Sequence, residues 1–130
     1  MHLRSCRRVV RPLLATAAAV LVLSGCGGDA GDAVVVDVAL GNYTIEPATL
    51  VLPADVEVEL NVTNVDTGMI HSLVAAGKGT RTLQPGESQT LPMGVLTAGR
   101  FQMWCDVPGH AQMGQAGTVV VEPAEPASDT

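Results

Sequence analysis

Positive charge is scarce in this 130-residue chain beyond its first eleven positions. Arg4, Arg7, Arg8 and Arg11 make up four of the seven basic residues, and all thirteen acids follow residue 28. From Cys26 onward only Lys78, Arg81 and Arg100 oppose thirteen acids, a net of -10. Such a surface repels nucleic acid and anionic headgroups, which excludes a DNA- or RNA-binding role. Cysteine is scarce too, with Cys6, Cys26 and Cys105 alone. No internal repeat, Gly-rich phosphate cradle or paired-carboxylate motif occurs, and the 14 glycines show no period of three, which excludes a collagen-like chain. What is left is 47% hydrophobic and 15% charged, enough for one ordinary domain and unlike a disordered chain.

The basic stretch Arg4–Arg11 is followed by an apolar run of eleven residues, Leu13 to Leu23. Eleven is short of the roughly 20 residues a membrane-spanning helix needs. The layout predicts a secretory signal peptide over residues 1–25. Leu23-Ser24-Gly25-Cys26 resembles a bacterial lipobox, which implies cleavage before Cys26, lipidation of Cys26 and a chain anchored outside the cytoplasmic membrane. Arg7-Arg8 raises twin-arginine export as an alternative to the general route, although Arg11 stands where that signal favours an apolar residue. Residues 26–33 (CGGDAGDA) read as a flexible tether and residues 123–130 as an acidic, Pro- and Ala-rich tail.

Residues 34–122 carry the domain, and they show no helical periodicity. Val34 to Leu40 is β-branched and largely apolar. From Val56 to Val62 apolar residues alternate with Glu57, Glu59 and Asn61, the period of a strand with one wet face. Ile70–Ala75, Gln89–Met93, Phe101–Cys105 and Thr118–Val121 are further strand-length runs, punctuated by Pro and Gly. Short strands with frequent turn signals predict an all-β sandwich or barrel.

Cys6 and His2 leave with the signal peptide, and Cys26 is taken by lipid. The domain then holds one thiol, Cys105, and two imidazoles, His71 and His110. An unpaired thiol outside the cell is a liability unless it is buried or used. Cys105 ends a strand, and the turn Asp106-Val107-Pro108-Gly109 returns His110 beside it. One thiolate, two imidazoles and a weak fourth donor form the ligand set of a blue-copper electron-transfer site. Thiolate stabilises Cu(I), imidazole serves both oxidation states, and a long axial bond suits both.

From about Thr44 to Val121 the chain resembles a cupredoxin of the plastocyanin and azurin kind. The resemblance rests on EPATLVLPADVEVELNVTNVD (a strand pair leading into Asn-x-Asp), MIHSLVA (the strand with the first histidine), LQPGESQTL and GRFQMWCDVPGHAQMGQAGTVVV (last strands and ligand loop). It implies a Greek-key cupredoxin β-sandwich holding one copper ion, Cu(I)/Cu(II), with His71, Cys105 and His110 as equatorial ligands. The axial place is open between Gln115 and Met113. Gln115 is favoured, because the Gly114-x-x-Gly117 frame then matches the family without a gap and Gln is a substitute for axial Met. Ser72 stands where relatives often place Asn, so its hydroxyl is expected to tie the ligand loops only in part. Trp104 is expected to anchor the core, and Met69, Met93, Met103 and Met113 to pack core and rim rather than form a copper-delivery surface. His71 is expected to be the buried imidazole and His110 the partly exposed one.

The implied function is single-electron transfer outside the cytoplasmic membrane by a monomer that docks redox partner proteins and is not an enzyme. A copper carrier that hands the ion to another protein would use the same residues. A metal-free binding module is a further alternative. A nucleophilic Cys-His pair has no obvious oxyanion loop beside it.

Overall fold

A computed structural model describes residues 32–123. Nine strands form, and no helix lies among the described residues. They are β1 (Val34–Gly41), β2 (Thr44–Glu46), β3 (Thr49–Pro53), β4 (Glu57–Asn64), β5 (Val74–Ala75), β6 (Lys78–Gly79), β7 (Ser88–Val95), β8 (Gly99–Trp104) and β9 (Ala116–Glu122). They make two sheets, ordered β2-β1-β4-β7 and β3-β9-β8-β5-β6. β1 runs parallel to β4 and β3 parallel to β9, and the other neighbours are antiparallel. This is a β-sandwich, as expected.

The alternation in β4 builds the first sheet's inner face. Val58, Leu60 and Val62 are fully buried, and Val38, Leu40, Leu91 and Met93 flank them. Leu50, Leu52, Met103, Val119 and Val121 face them from the second sheet. Each such side chain contributes about 1.5–3 kcal/mol by leaving water. β7 is an edge strand, the place in a sheet where a proline such as Pro92 is tolerated. The β4–β7 register shifts between Val58 and Glu59, where Gly94 holds a left-handed backbone (φ 70°).

Two sequence expectations are corrected. The run Ile70–Ala75 is a strand only at Val74–Ala75, and His71 makes an isolated bridge to Leu83. The reason is local. The Asp66 carboxylate takes the amides of Gly68 and Met69, and the Asn64 amide takes the carbonyls of Met69 and Leu83, so side chains replace a ladder there. Trp104 is not a core anchor. In β8 it is Met103 that points inward (1% exposed), which turns Trp104 outward at 36%. Met93 and Met103 are buried, consistent with core packing. The segment expected to be a signal peptide, Cys26 and most of the expected tether and tail lie outside the described residues.

Candidate metal centre

The inward row of β4 continues past Val62 to Asn64, a polar residue with no exposure. Burial of an amide requires partners. Asn64 donates to the carbonyls of Met69 (2.8 Å) and Leu83 (3.0 Å) and accepts from the Asp66 amide (3.0 Å). It thereby shapes the 64–71 segment and delivers His71 beneath the end of the sandwich. His71 also pairs through its backbone with Leu83 in both directions, at 3.1 and 2.7 Å.

The other donors come from the segment between β8 and β9. Cys105 is the next inward position after Met103. The chain then folds through successive turns. His110 N–H donates to Val107 C=O, and the His110 carbonyl accepts from Met113 and Gln115. Gly109 holds φ 88° immediately before His110, a conformation that an L side chain rarely adopts. The Cys105 amide donates to the Gln115 carbonyl at 3.1 Å, closing the neck of the loop.

The donor atoms of His71, Cys105 and His110 all lie within 4.8 Å of one another, and all three residues are buried. The two Nδ1 atoms are 3.2 Å apart, and His110 Nδ1 is 3.7 Å from Cys105 Sγ. His71 is 0% exposed and His110 8%, at the rim. The Tyr43 ring meets His110 edge-on at 5.2 Å. Gln115 is fully buried. Its Nε2 donates to the carbonyls of Gly41 (2.8 Å) and Thr44 (3.1 Å), so its Oε1 faces His71 Nδ1 at 2.9 Å. Met113 is 62% exposed on the loop's outer side.

Ser72 does tie the two ligand segments. Its hydroxyl accepts from the Asp106 amide (3.2 Å) and donates to the Asp106 carboxylate, while its own amide points at Cys105 Sγ (3.5 Å). A sequence reading missed Asp106 as the partner, and it also missed Asp66. Asp66 Oδ2 lies 3.0 Å from His71 Nε2. The only signal for it was the Asn-x-Asp spacing ahead of the histidine.

The chemistry of these donors fits a cation. With its proton on Nε2, donated in a hydrogen bond to the Asp66 carboxylate, the His71 ring has an Nδ1 lone pair to offer a cation. That lone pair faces the Gln115 oxygen, whose own amide protons are committed elsewhere. A cysteine sulfur and a second imidazole nitrogen point to the same place. Acceptors that face each other repel, and a soft or borderline ion between them turns the repulsion into bonds.

Comparison with known proteins agrees. The chain is similar to auracyanin from the photosynthetic bacterium Roseiflexus castenholzii, solved in a dithionite-reduced form. The TM-score is 0.64 at 19% identity, over 72% of this chain and all of that one. It is similar to auracyanin B, at TM-score 0.62 and 22% identity over 68% of this chain and 88% of that one. A third similar structure is auracyanin A, a "blue" copper protein from the green thermophilic Chloroflexus aurantiacus. There the TM-score is 0.62 at 16% identity, over 68% and 98% of the two chains. No curated protein matches the sequence. The profile of the cupredoxin-like domain matches residues 13–121. A two-sheet sandwich with a buried His71–Cys105–His110 group that fits a single copper ion therefore carries that profile over most of its length, and the chain belongs to the cupredoxin-like family.

Proposed function

We propose that the protein is a mononuclear type 1 copper protein that carries single electrons outside the cytoplasmic membrane, where a lipid on Cys26 holds it. The observation that carries this reading is the buried convergence of Cys105 Sγ with the Nδ1 atoms of His71 and His110. Bound copper supplies one-electron chemistry between Cu(I) and Cu(II). Cys105, His71 and His110 would hold the ion, and Gln115 would offer Oε1 as the weak fourth donor. Hydrogen bonds already fix His71, Cys105 and Gln115, so the frame has little to rearrange when the charge of the centre changes.

His110 is the least buried of the three and offers a redox partner its contact with the centre. Met69, Val107, Pro108 and Met113 form an apolar surround near it, suited to a small and short-lived interface. The acidic domain favours a partner with a basic patch, whose association slows as salt rises. In this reading the chain is an electron carrier and not an enzyme.

Copper titration of the purified full-length chain, followed by visible absorption and EPR, tests the proposal. The expected result is one equivalent of Cu(II), an intense thiolate-to-copper band and a narrow copper hyperfine splitting. Colourless, weakly held copper with disulfide-linked dimers through Cys105 would overturn it in favour of copper handling or a metal-free module. Reduction potentials then address the axial place. An amide oxygen is a harder donor than a thioether and favours Cu(II), so Gln115→Met raises the potential while Met113→Leu leaves it unchanged. The opposite pattern would reassign the axial ligand to Met113.

A further inference from the structure

His71 is held by more than its place in the fold. Asp66 Oδ2 sits 3.0 Å from its Nε2, with the carboxylate 11% exposed. The carboxylate is not free to turn away. Its other oxygen accepts the amides of Gly68 (2.9 Å) and Met69 (3.3 Å), and its own backbone amide donates to buried Asn64. Asn64 in turn grips the carbonyl of Leu83, the residue that pairs with the His71 backbone. The carboxylate, the imidazole ring and the ring's backbone thus belong to one network. His110 has no carboxylate against its ring in any hydrogen bond or ion pair among the described residues.

We infer that Asp66 is a positioning residue that fixes His71 as the Nε2–H tautomer, aims its Nδ1 lone pair at the metal centre and makes that nitrogen a stronger donor to Cu(II) than to Cu(I). This rests on the copper reading above. The physical reason is that a negative charge on the far side of the ring polarises the N–H bond and pushes electron density toward Nδ1. A doubly charged ion gains more from that density than a singly charged one. Carboxylate partners of ligating histidines are worth about 10–100-fold in metal affinity. Asp66 therefore holds the potential of the centre down.

The test uses the full-length chain and three variants. Asp66→Asn keeps the shape and the oxygen that caps Gly68 and Met69 but removes the charge. Asp66→Ala removes both. Glu57→Gln removes one exposed acid at the opposite end of β4 and reports the effect of net charge alone. Near-ultraviolet circular dichroism confirms that each variant is folded. Asp66→Asn is expected to weaken Cu(II) binding about tenfold or more while Cu(I) binding changes less. Each tenfold difference between the two ions raises the potential by about 59 mV for one electron. Nitrogen-15 spectra of the metal-free protein are expected to show a single Nε2–H tautomer at His71 in the wild type and a mixture in Asp66→Asn.

Affinity and potential in Asp66→Asn equal to those of Glu57→Gln, with the His71 tautomer unchanged, would overturn the inference. The tautomer measurement needs no copper. If the wild-type chain fails to form a thiolate–copper band, the copper reading falls, and the ring spectra still decide whether Asp66 sets His71.

Discussion

The two imidazoles are the same residue type in the same centre, yet the fold treats them in opposite ways. His71 is fully buried and held at its ring by Asp66 and at its backbone by Leu83 on both sides. His110 sits at the rim, 8% exposed, on a loop whose bonds are mostly its own backbone turns. One side is built from the Asn64 and Asp66 side chains, which bond to backbone nearby and, through Asn64, to Leu83 nineteen residues on. The other is built from a short local loop pinned at its neck. The lesson is that this centre is assembled from a fully buried half held by side chains and a half that lies nearer the surface on a short loop.

The strongest way to break that comparison is to delete each ring. His71→Gly and His110→Gly are both expected to abolish the thiolate–copper band. Added imidazole should restore it in His110→Gly, because the hole opens at the rim, and leave His71→Gly colourless, because that hole is sealed. Restoration in both, measured by visible absorption, would erase the distinction.

The next effect is on stability. Asn64→Ala deletes three hydrogen bonds of a buried side chain that shape the His71 side. Buried polar groups left unpaired cost about 1–3 kcal/mol each, so a loss of about 3 kcal/mol is expected in urea unfolding of the metal-free protein. A loss under about 1 kcal/mol would mean that Asn64 does not organise that segment.

Gly117 tests the loop side. A Cβ there would strike the Ala48 carbonyl and lie 2.7 Å from Met103 Cε. Gly117→Ala should therefore cost about 1–3 kcal/mol by overpacking, with the centre's spectrum shifted through the strand that follows Gln115. An unchanged unfolding midpoint would show that β9 moves aside.

The smallest effect concerns the turn before β7. The Gln84 amide, and then the Arg81 guanidinium, hold the Glu87 carboxyl below the usual glutamate range. Such a group stabilises the fold above its ordinary range, and the contribution is lost as pH falls through the lowered value. Glu87→Gln should flatten that acid limb slightly, because the ion pair is exposed. A limb identical to wild type would assign the acid loss elsewhere, with Asp66 as the other carboxylate held low, chiefly by its bond to His71.

Much of the sandwich was legible because its signal is local. The alternation Val58, Leu60, Val62 needs only neighbours two apart. The Cys105-x4-His110 spacing likewise brings thiol and imidazole together within one turn. Short edge strands were not legible. β6 has two residues, both exposed, and nothing in Lys78-Gly79 marks pairing. Trp104 was misread because bulk suggests burial, whereas strand parity gave the inward place to Met103.

By itself, then, the sequence determined the strand-rich class, the inner face of β4 and the three residues rich enough in chemistry to hold a metal. Tertiary structure alone decided which atoms face one another. Gln115 turns its oxygen inward only because the carbonyls of Gly41 and Thr44, more than seventy residues earlier, claim its amide protons. Asp66 reaches the back of His71 only because Asn64 and two backbone amides bend the segment between them. Periodicity is a property of neighbours in the chain. Hydrogen-bond direction at a buried site depends on partners that only folding brings within 3 Å.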